Sequence, residues 1–162
     1  MTIVDLASAI ADRAHAGQVD KAGKPYIGHV RRVAGYVDRQ DLNAVAAALL
    51  HDVLEDTPVT AQDLAAAGIP SEVVAAVVLV TRRPEQSSEK YYAAIRGCPL
   101  AREVKLADLA DNTDPRRQDL LESAHRNRLI GKYNAAYAAL EADPDDGARR
   151  RGGSLSAPLP GI

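Results

Sequence analysis

Ala44-Val45-Ala46-Ala47-Ala48-Leu49-Leu50-His51-Asp52-Val53-Leu54-Glu55-Asp56-Thr57-Pro58 is the stretch whose reading decides the fold. Seven apolar residues in a row have the composition of a helix buried on every side, and they run directly into His-Asp and then Glu-Asp. Burying an imidazole or carboxylate without a partner costs on the order of 1–3 kcal/mol each. Four such groups on an apolar helix therefore imply something nearby that neutralises them. Pro58 disfavours helix at Thr57, so the helix is expected to run from about Leu42 to Asp56. Glu55 and Asp56 then sit at the negative end of the macrodipole, where each loses about 0.3–1 kcal/mol. A bound cation reverses that sign, so the stretch reads as one side of a metal site.

Working outward, the apolar spacing is helical almost throughout. Ile3, Leu6, Ala7, Ile10 and Ala14 mark the face of a first helix, with Thr2 as its N-cap. A Gly-bearing loop from about Gly17 to Lys24 leads to Pro25, which suits the first turn of a second helix through Val37. Beyond the opening stretch, a short helix is expected from Thr60 to Ala66, then Ser71 to about Thr81, Ser87 to Ile95 and Leu100 to Asn112. Pro115 breaks the pattern, and a last helix covers roughly Arg117 to Leu140. No alternating strand pattern or hairpin signal is present. The fold class is all-α, a compact helical bundle over residues 1–142, with 143–162 expected as a flexible C-terminal tail rich in Asp, Arg, Gly, Ser and Pro.

Composition narrows the partners. At 162 residues the chain is long enough for one well-filled core, and its 20 Lys and Arg balance 22 Asp and Glu. Duplex nucleic acid is thus a poor partner, since no strongly basic face is implied. The single cysteine, Cys98, excludes an intramolecular disulfide and fits a reducing compartment. The first residues carry neither a basic region nor a long apolar run, so no signal peptide or membrane span is expected and the chain reads as cytoplasmic.

Three segments place metal-capable groups on apolar helices: His29 in Tyr26-Ile27-Gly28-His29-Val30, the His51-Asp52 pair, and Asp108 in Val104-Lys105-Leu106-Ala107-Asp108-Leu109-Ala110-Asp111-Asn112. Two imidazoles and two carboxylates make a mixed nitrogen and oxygen set suited to manganese, iron or zinc. Glu55 and Asp56 stand one turn beyond His51-Asp52, close to such an ion without being needed to hold it.

With Ala14-His15-Ala16-Gly17-Gln18 and Lys21-Ala22-Gly23-Lys24-Pro25-Tyr26-Ile27-Gly28-His29 ahead of these blocks, the sequence resembles the HD-domain phosphohydrolases. Within them it is most similar to the hydrolase domain of RelA/SpoT homologues and the small alarmone hydrolases, over roughly residues 3 to 140. The resemblance implies an all-helical fold holding one manganese ion and hydrolysing the 3′-pyrophosphate of guanosine tetra- and pentaphosphate. It also implies that His29, His51, Asp52 and Asp108 are metal ligands, that Glu55 and Asp56 position and activate the attacking water, and that Lys21, Tyr26 and Asn112 contact the nucleotide.

Two departures stand against the family pattern. Asp20 occupies a position usually basic, and Ala22 one often serine, so the resemblance carries hydrolysis further than it carries guanine preference. Arg82, Arg83, Arg126 and Arg128 are the residues that could replace the missing positive charge. A nucleotide phosphomonoesterase using the same ion and a non-catalytic nucleotide sensor are the alternative readings; the Glu55-Asp56 pair argues against the sensor, because binding alone has little use for a base.

Overall fold

A computed structural model describes residues 1–154, and among them every regular element is a helix. Helix α1 (Ile3–Ala14) opens with a capping box: Thr2 Oγ1 accepts from the Asp5 N–H, and an Asp5 carboxylate oxygen accepts from the Thr2 N–H at 2.7 Å. Helices α2 (Ile27–Gly35) and α3 (Leu42–Leu50) follow, the latter capped by Asp41 through the N–H groups of Asn43 and Ala44. Residues 44–50 of α3 are all buried, as a helix apolar on every side requires. Around α3 pack α1, α2, α6 (Ser71–Val80) and α8 (Pro99–Asn112), so the central helix delivers its C-terminal end into the heart of the bundle.

The expected helix 42–56 is interrupted. A turn at His51-Asp52 separates α3 from the single-turn α4 (Val53–Asp56). The Ala48 carbonyl, free at the end of α3, accepts instead from the His51 ring Nδ1 at 2.8 Å, the local competition that ends helices. Asp52 then sits at the head of α4, its carbonyl receiving the Glu55 and Asp56 N–H groups.

Helix α5 (Ala61–Ala66) starts from a second capping box, Thr60 with Asp63. Helix α7 (Ser88–Arg96) is capped by Ser87. The expected last helix is two elements, α9 (Pro115–Gln118), capped by Asp114, and α10 (Ser123–Ala139). The expected flexible tail is corrected over its first part. Asp146–Ser154 form α11, which packs on α8, where Arg150 holds Glu103 in a two-pronged ion pair at 2.8 and 3.0 Å and the Arg151 guanidinium donates to the Ala110 carbonyl. The remainder of that expected tail, 155–162, lies outside the described residues. Cys98 is a free thiol immediately before Pro99, and no helix among the described residues is long and apolar enough to cross a membrane.

Candidate metal centre

The ends of α2, α3 and α8 bring His29, His51, Asp52 and Asp108 together. The ligand atoms of His29, His51 and Asp108 lie within 4.8 Å of one another. Asp52 Oδ2 stands 2.8 Å from His51 Nε2 and 3.5 Å from His29 Nε2, and Asp108 Oδ1 lies 3.4 Å from His29 Nε2. The sequence-predicted ligands therefore form one cluster, with His29, His51 and Asp108 buried and Asp52 partly so.

Hydrogen bonding on the far side of each ring settles what the near side presents. His51 Nδ1 faces the Ala48 carbonyl, and His29 Nδ1 faces Asp111 Oδ2 at 2.7 Å. Both partners only accept, so each Nδ1 carries a proton and each ring turns its Nε2 to the centre. His51 Nε2 is fully buried and makes no hydrogen bond, although a carboxylate oxygen is 2.8 Å away. A nitrogen that close to a carboxylate calls for positive charge between them, a proton in the empty site or a metal ion in the filled one. Burial alone would lower the His51 pKa, but Asp52 and Asp108 override it and hold it up at about 10. Asp108 is likewise held well below the usual carboxylate range against its burial, first by Lys105 and then by the two imidazoles. The cluster demands positive charge, and its nitrogen and oxygen donors fit a divalent ion.

Supporting partners surround it. Tyr26 donates its hydroxyl to Asp52 Oδ2 at 2.6 Å; Lys105 Nζ and Asn112 Nδ2 each donate at 2.8 Å to the two oxygens of Asp108. Tyr26 and Asn112, predicted to contact substrate, thus donate to the Asp52 and Asp108 carboxylates, although both still line the cleft. The Tyr26 ring lies between the rings of His15 and His29, with centroids 5.1 and 5.4 Å away.

Glu55 and Asp56 face the same cleft of about 740 Å³. Burial raises both carboxyls above their ordinary values, and Asp52 adds to it; at Glu55 the Arg82 N–H, donating at 2.6 Å, works the other way. Lys21 is exposed at the tip of a closed loop, where Asp20 Oδ1 accepts from the Ala22 and Lys24 N–H groups and Gly23 adopts a φ of 76° that favours glycine. Asp20 is therefore a loop fastener. Its other oxygen is 3.7 Å from Arg117 Nη2, so its charge is partly met within the protein.

Arg82, Arg83, Arg126 and Arg128 do not line the cleft. Arg82 reaches Ser88 and covers the Tyr91 ring, Arg126 faces Asp119 at 3.4 Å, and Arg128 contacts His125. The positive charge comes instead from Lys24, Arg32, Arg116, Arg117 and Lys132 beside Lys21. Sequence reading missed these because surface arginines carry no periodic signal. Asp111 was also passed over; its place three residues beyond Asp108, on the same face of α8, was the available clue.

An all-helical bundle that gathers two histidines and two aspartates at the ends of its inner helices, beneath a charged cleft, is the architecture of a metal-binding helical hydrolase fold. Residues 7–124 match the HD domain, and the chain belongs to the HD-domain family. It is 37% identical over 141 residues to a guanosine-3′,5′-bis(diphosphate) 3′-pyrophosphohydrolase of Haemophilus influenzae, and 36% identical over 141 residues to the protein of that name from Vibrio cholerae. Each alignment takes in 81% of this chain, which spans about a fifth of either relative, 21% and 20%. A solved structure of a metazoan ortholog of SpoT, reported to hydrolyse ppGpp, superposes with a TM-score of 0.75 at 21% identity, over 98% of this chain and 97% of that one.

Proposed function

We propose that the protein hydrolyses the 3′-pyrophosphate of guanosine tetra- and pentaphosphate, with one divalent ion, Mn²⁺, held by His29, His51, Asp52 and Asp108. The observation that carries the metal-dependent reading is the buried, unpartnered His51 Nε2 beside two carboxylates, with two further carboxylates in the same cleft. The alarmone rests on the names of the bacterial relatives. When bound, such an ion lowers the pKa of a coordinated water from 15.7 toward about 7 and offsets phosphoryl charge.

The chain's own groups account for the remaining work. Glu55 and Asp56 accept the proton of the attacking water, and their raised pKa values make them better bases than carboxylates at the ordinary value. Water adds to the phosphorus next to the ribose and the bond from that phosphorus to the 3′-oxygen breaks; the 3′-oxygen takes up a proton from solvent, and pyrophosphate leaves with the nucleoside 5′-diphosphate from the tetraphosphate or the 5′-triphosphate from the pentaphosphate. Tyr26 and Asn112 hold the ligand carboxylates in place, while Lys21 supplies a mobile charge for substrate phosphate.

Guanosine tetraphosphate with the manganese-loaded protein should yield guanosine diphosphate and pyrophosphate. Orthophosphate from mononucleotides with no pyrophosphate from the alarmone would replace this reading with a phosphomonoesterase. Binding without any product would replace it with a sensor.

A further inference from the structure

Asp111 has no exposed surface, and its carboxylate is nevertheless the most heavily partnered in the cleft region. Oδ1 accepts from Arg32 Nε at 2.7 Å; Oδ2 accepts from His29 Nδ1 at 2.7 Å, from Arg32 Nη2 at 3.2 Å and from Arg117 Nη1. A buried carboxylate that only neutralised the two arginines would have no need of the imidazole. Here the His29 ring is fixed between two sets of oxygens: Asp111 on its Nδ1 side, Asp52 and Asp108 on its Nε2 side. Asp108 and Asp111 lie one turn apart on α8, so a single rigid helix sets both the oxygen facing Nε2 and the oxygen that aims the ring.

We infer that Asp111 is a positioning residue of the metal centre: it holds His29 with Nδ1 turned to its own oxygen and Nε2 turned to the ion, and Arg32 and Arg117 fix its oxygens in place for that purpose. This rests on the metal reading given above. Each part has a physical cause. The carboxylate can only accept, which forces the proton onto Nδ1. An anion behind the ring also raises the basicity of the opposite nitrogen, as carboxylates behind ligating imidazoles do. Arg117 Nη1 comes within 3.4 Å of His29 Nδ1, but both are donors, so each turns to the oxygen they share.

The test is Asp111→Asn, which keeps the shape and an acceptor oxygen while removing the charge. Isothermal titration of the metal-free protein with Zn²⁺ and with Mn²⁺ should show 10–100-fold weaker binding than wild type, with stoichiometry kept. In the zinc-loaded wild-type protein, proton NMR should show protected imidazole N–H signals from His29 and His51, and a third from the buried His15, whose Nδ1 donates to Gln18 Oε1 and whose signal is assigned by His15→Gln. That of His29, facing a carboxylate, should lie downfield of that of His51, which faces a peptide carbonyl and serves as internal reference. Asp111→Asn should move the first signal upfield and leave the second in place. Unchanged affinity with an unmoved signal would reduce Asp111 to a counter-ion for the arginines and overturn the inference. Should the variant fail to fold, the wild-type spectrum decides: a His29 signal downfield of both the His51 and His15 signals supports the inference, and the lack of one overturns it. No stoichiometric binding by the wild-type protein would overturn the metal reading itself, a different outcome from wild-type binding that the substitution leaves unaltered.

Discussion

The floor and the outer wall of the cleft are built on opposite terms. The floor, where α3 gives way to α4 and α8 runs alongside, is packed against residues such as Leu49, Leu50, Val53 and Leu109, all at most 1% exposed. There Asp52 Oδ2, His29 Nδ1 and both Asp108 oxygens have hydrogen-bond partners, while His51 Nε2 has none. The wall, from Pro115 to Ala135, contains no buried residue, and Leu120 is 58% exposed. Its main tie to the floor is Arg117 on Asp111, with Gln118 reaching the Asn112 carbonyl at 3.4 Å. The difference is one of enforcement: the His29, His51 and Asp108 donors sit where geometry is set by burial, whereas Glu55, Asp56 and the wall present solvated side chains to the cleft.

The comparison breaks most readily at Glu55 and Asp56. Glu55→Gln combined with Asp56→Asn should lower turnover by about 10²–10⁴-fold while metal stoichiometry is retained, measured by steady-state kinetics alongside elemental analysis. Turnover at the wild-type rate would remove the pair from the chemistry. Stability should divide along the same line. Leu50→Ala should destabilise the fold by about 2–5 kcal/mol in urea unfolding, against about 0.5 kcal/mol or less for Leu120→Ala. Equal costs would show that the wall is packed as the floor is.

The pH profile sharpens the contrast. Glu55 and Asp56 act as bases only when ionised, and burial raises both, so kcat/KM should fall as pH drops through a limb above the ordinary carboxylate value of about 4. A limb at or below that value would mean the pair is solvated in the working enzyme. The smallest effect is expected on the wall: Lys132→Ala should raise KM roughly 2–5-fold with kcat unchanged, the scale of one exposed charge contact. A fall in kcat instead would place Lys132 in the chemistry.

The floor was legible in the sequence because it violates the ordinary rule of burial. His51-Asp52 after seven apolar residues, and His29 and Asp108 on apolar faces, are anomalies that point to one another, and the structure brings all four together. The all-helical class was equally plain from the spacing around Ile3, Leu6 and Ile10. The break at His51-Asp52 was not, because a ring nitrogen bonding the Ala48 carbonyl obeys local geometry that apolar periodicity does not encode. Nor was α11: Asp146, Arg150 and Arg151 have the composition of a solvated tail, and only Glu103 and the Ala110 carbonyl, far away in sequence, give them something to hold. Asp20 taught the opposite lesson. An acidic residue where the family pattern is usually basic, it has one oxygen taken by the Ala22 and Lys24 amides and the other facing Arg117 at 3.7 Å.

The chain has six tyrosines and no tryptophan, so its near-ultraviolet absorption and emission are phenolic alone. Tyr26 places one of those phenols 2.6 Å from an Asp52 oxygen, whereas Tyr91, for example, donates to a peptide carbonyl of Val80. A phenol's optical transitions shift with the charge its hydroxyl faces, and a cation shared by Asp52 changes that charge directly. The protein therefore carries a label-free optical indicator at its centre, readable as a tyrosine difference spectrum during metal titration and silent in Tyr26→Phe.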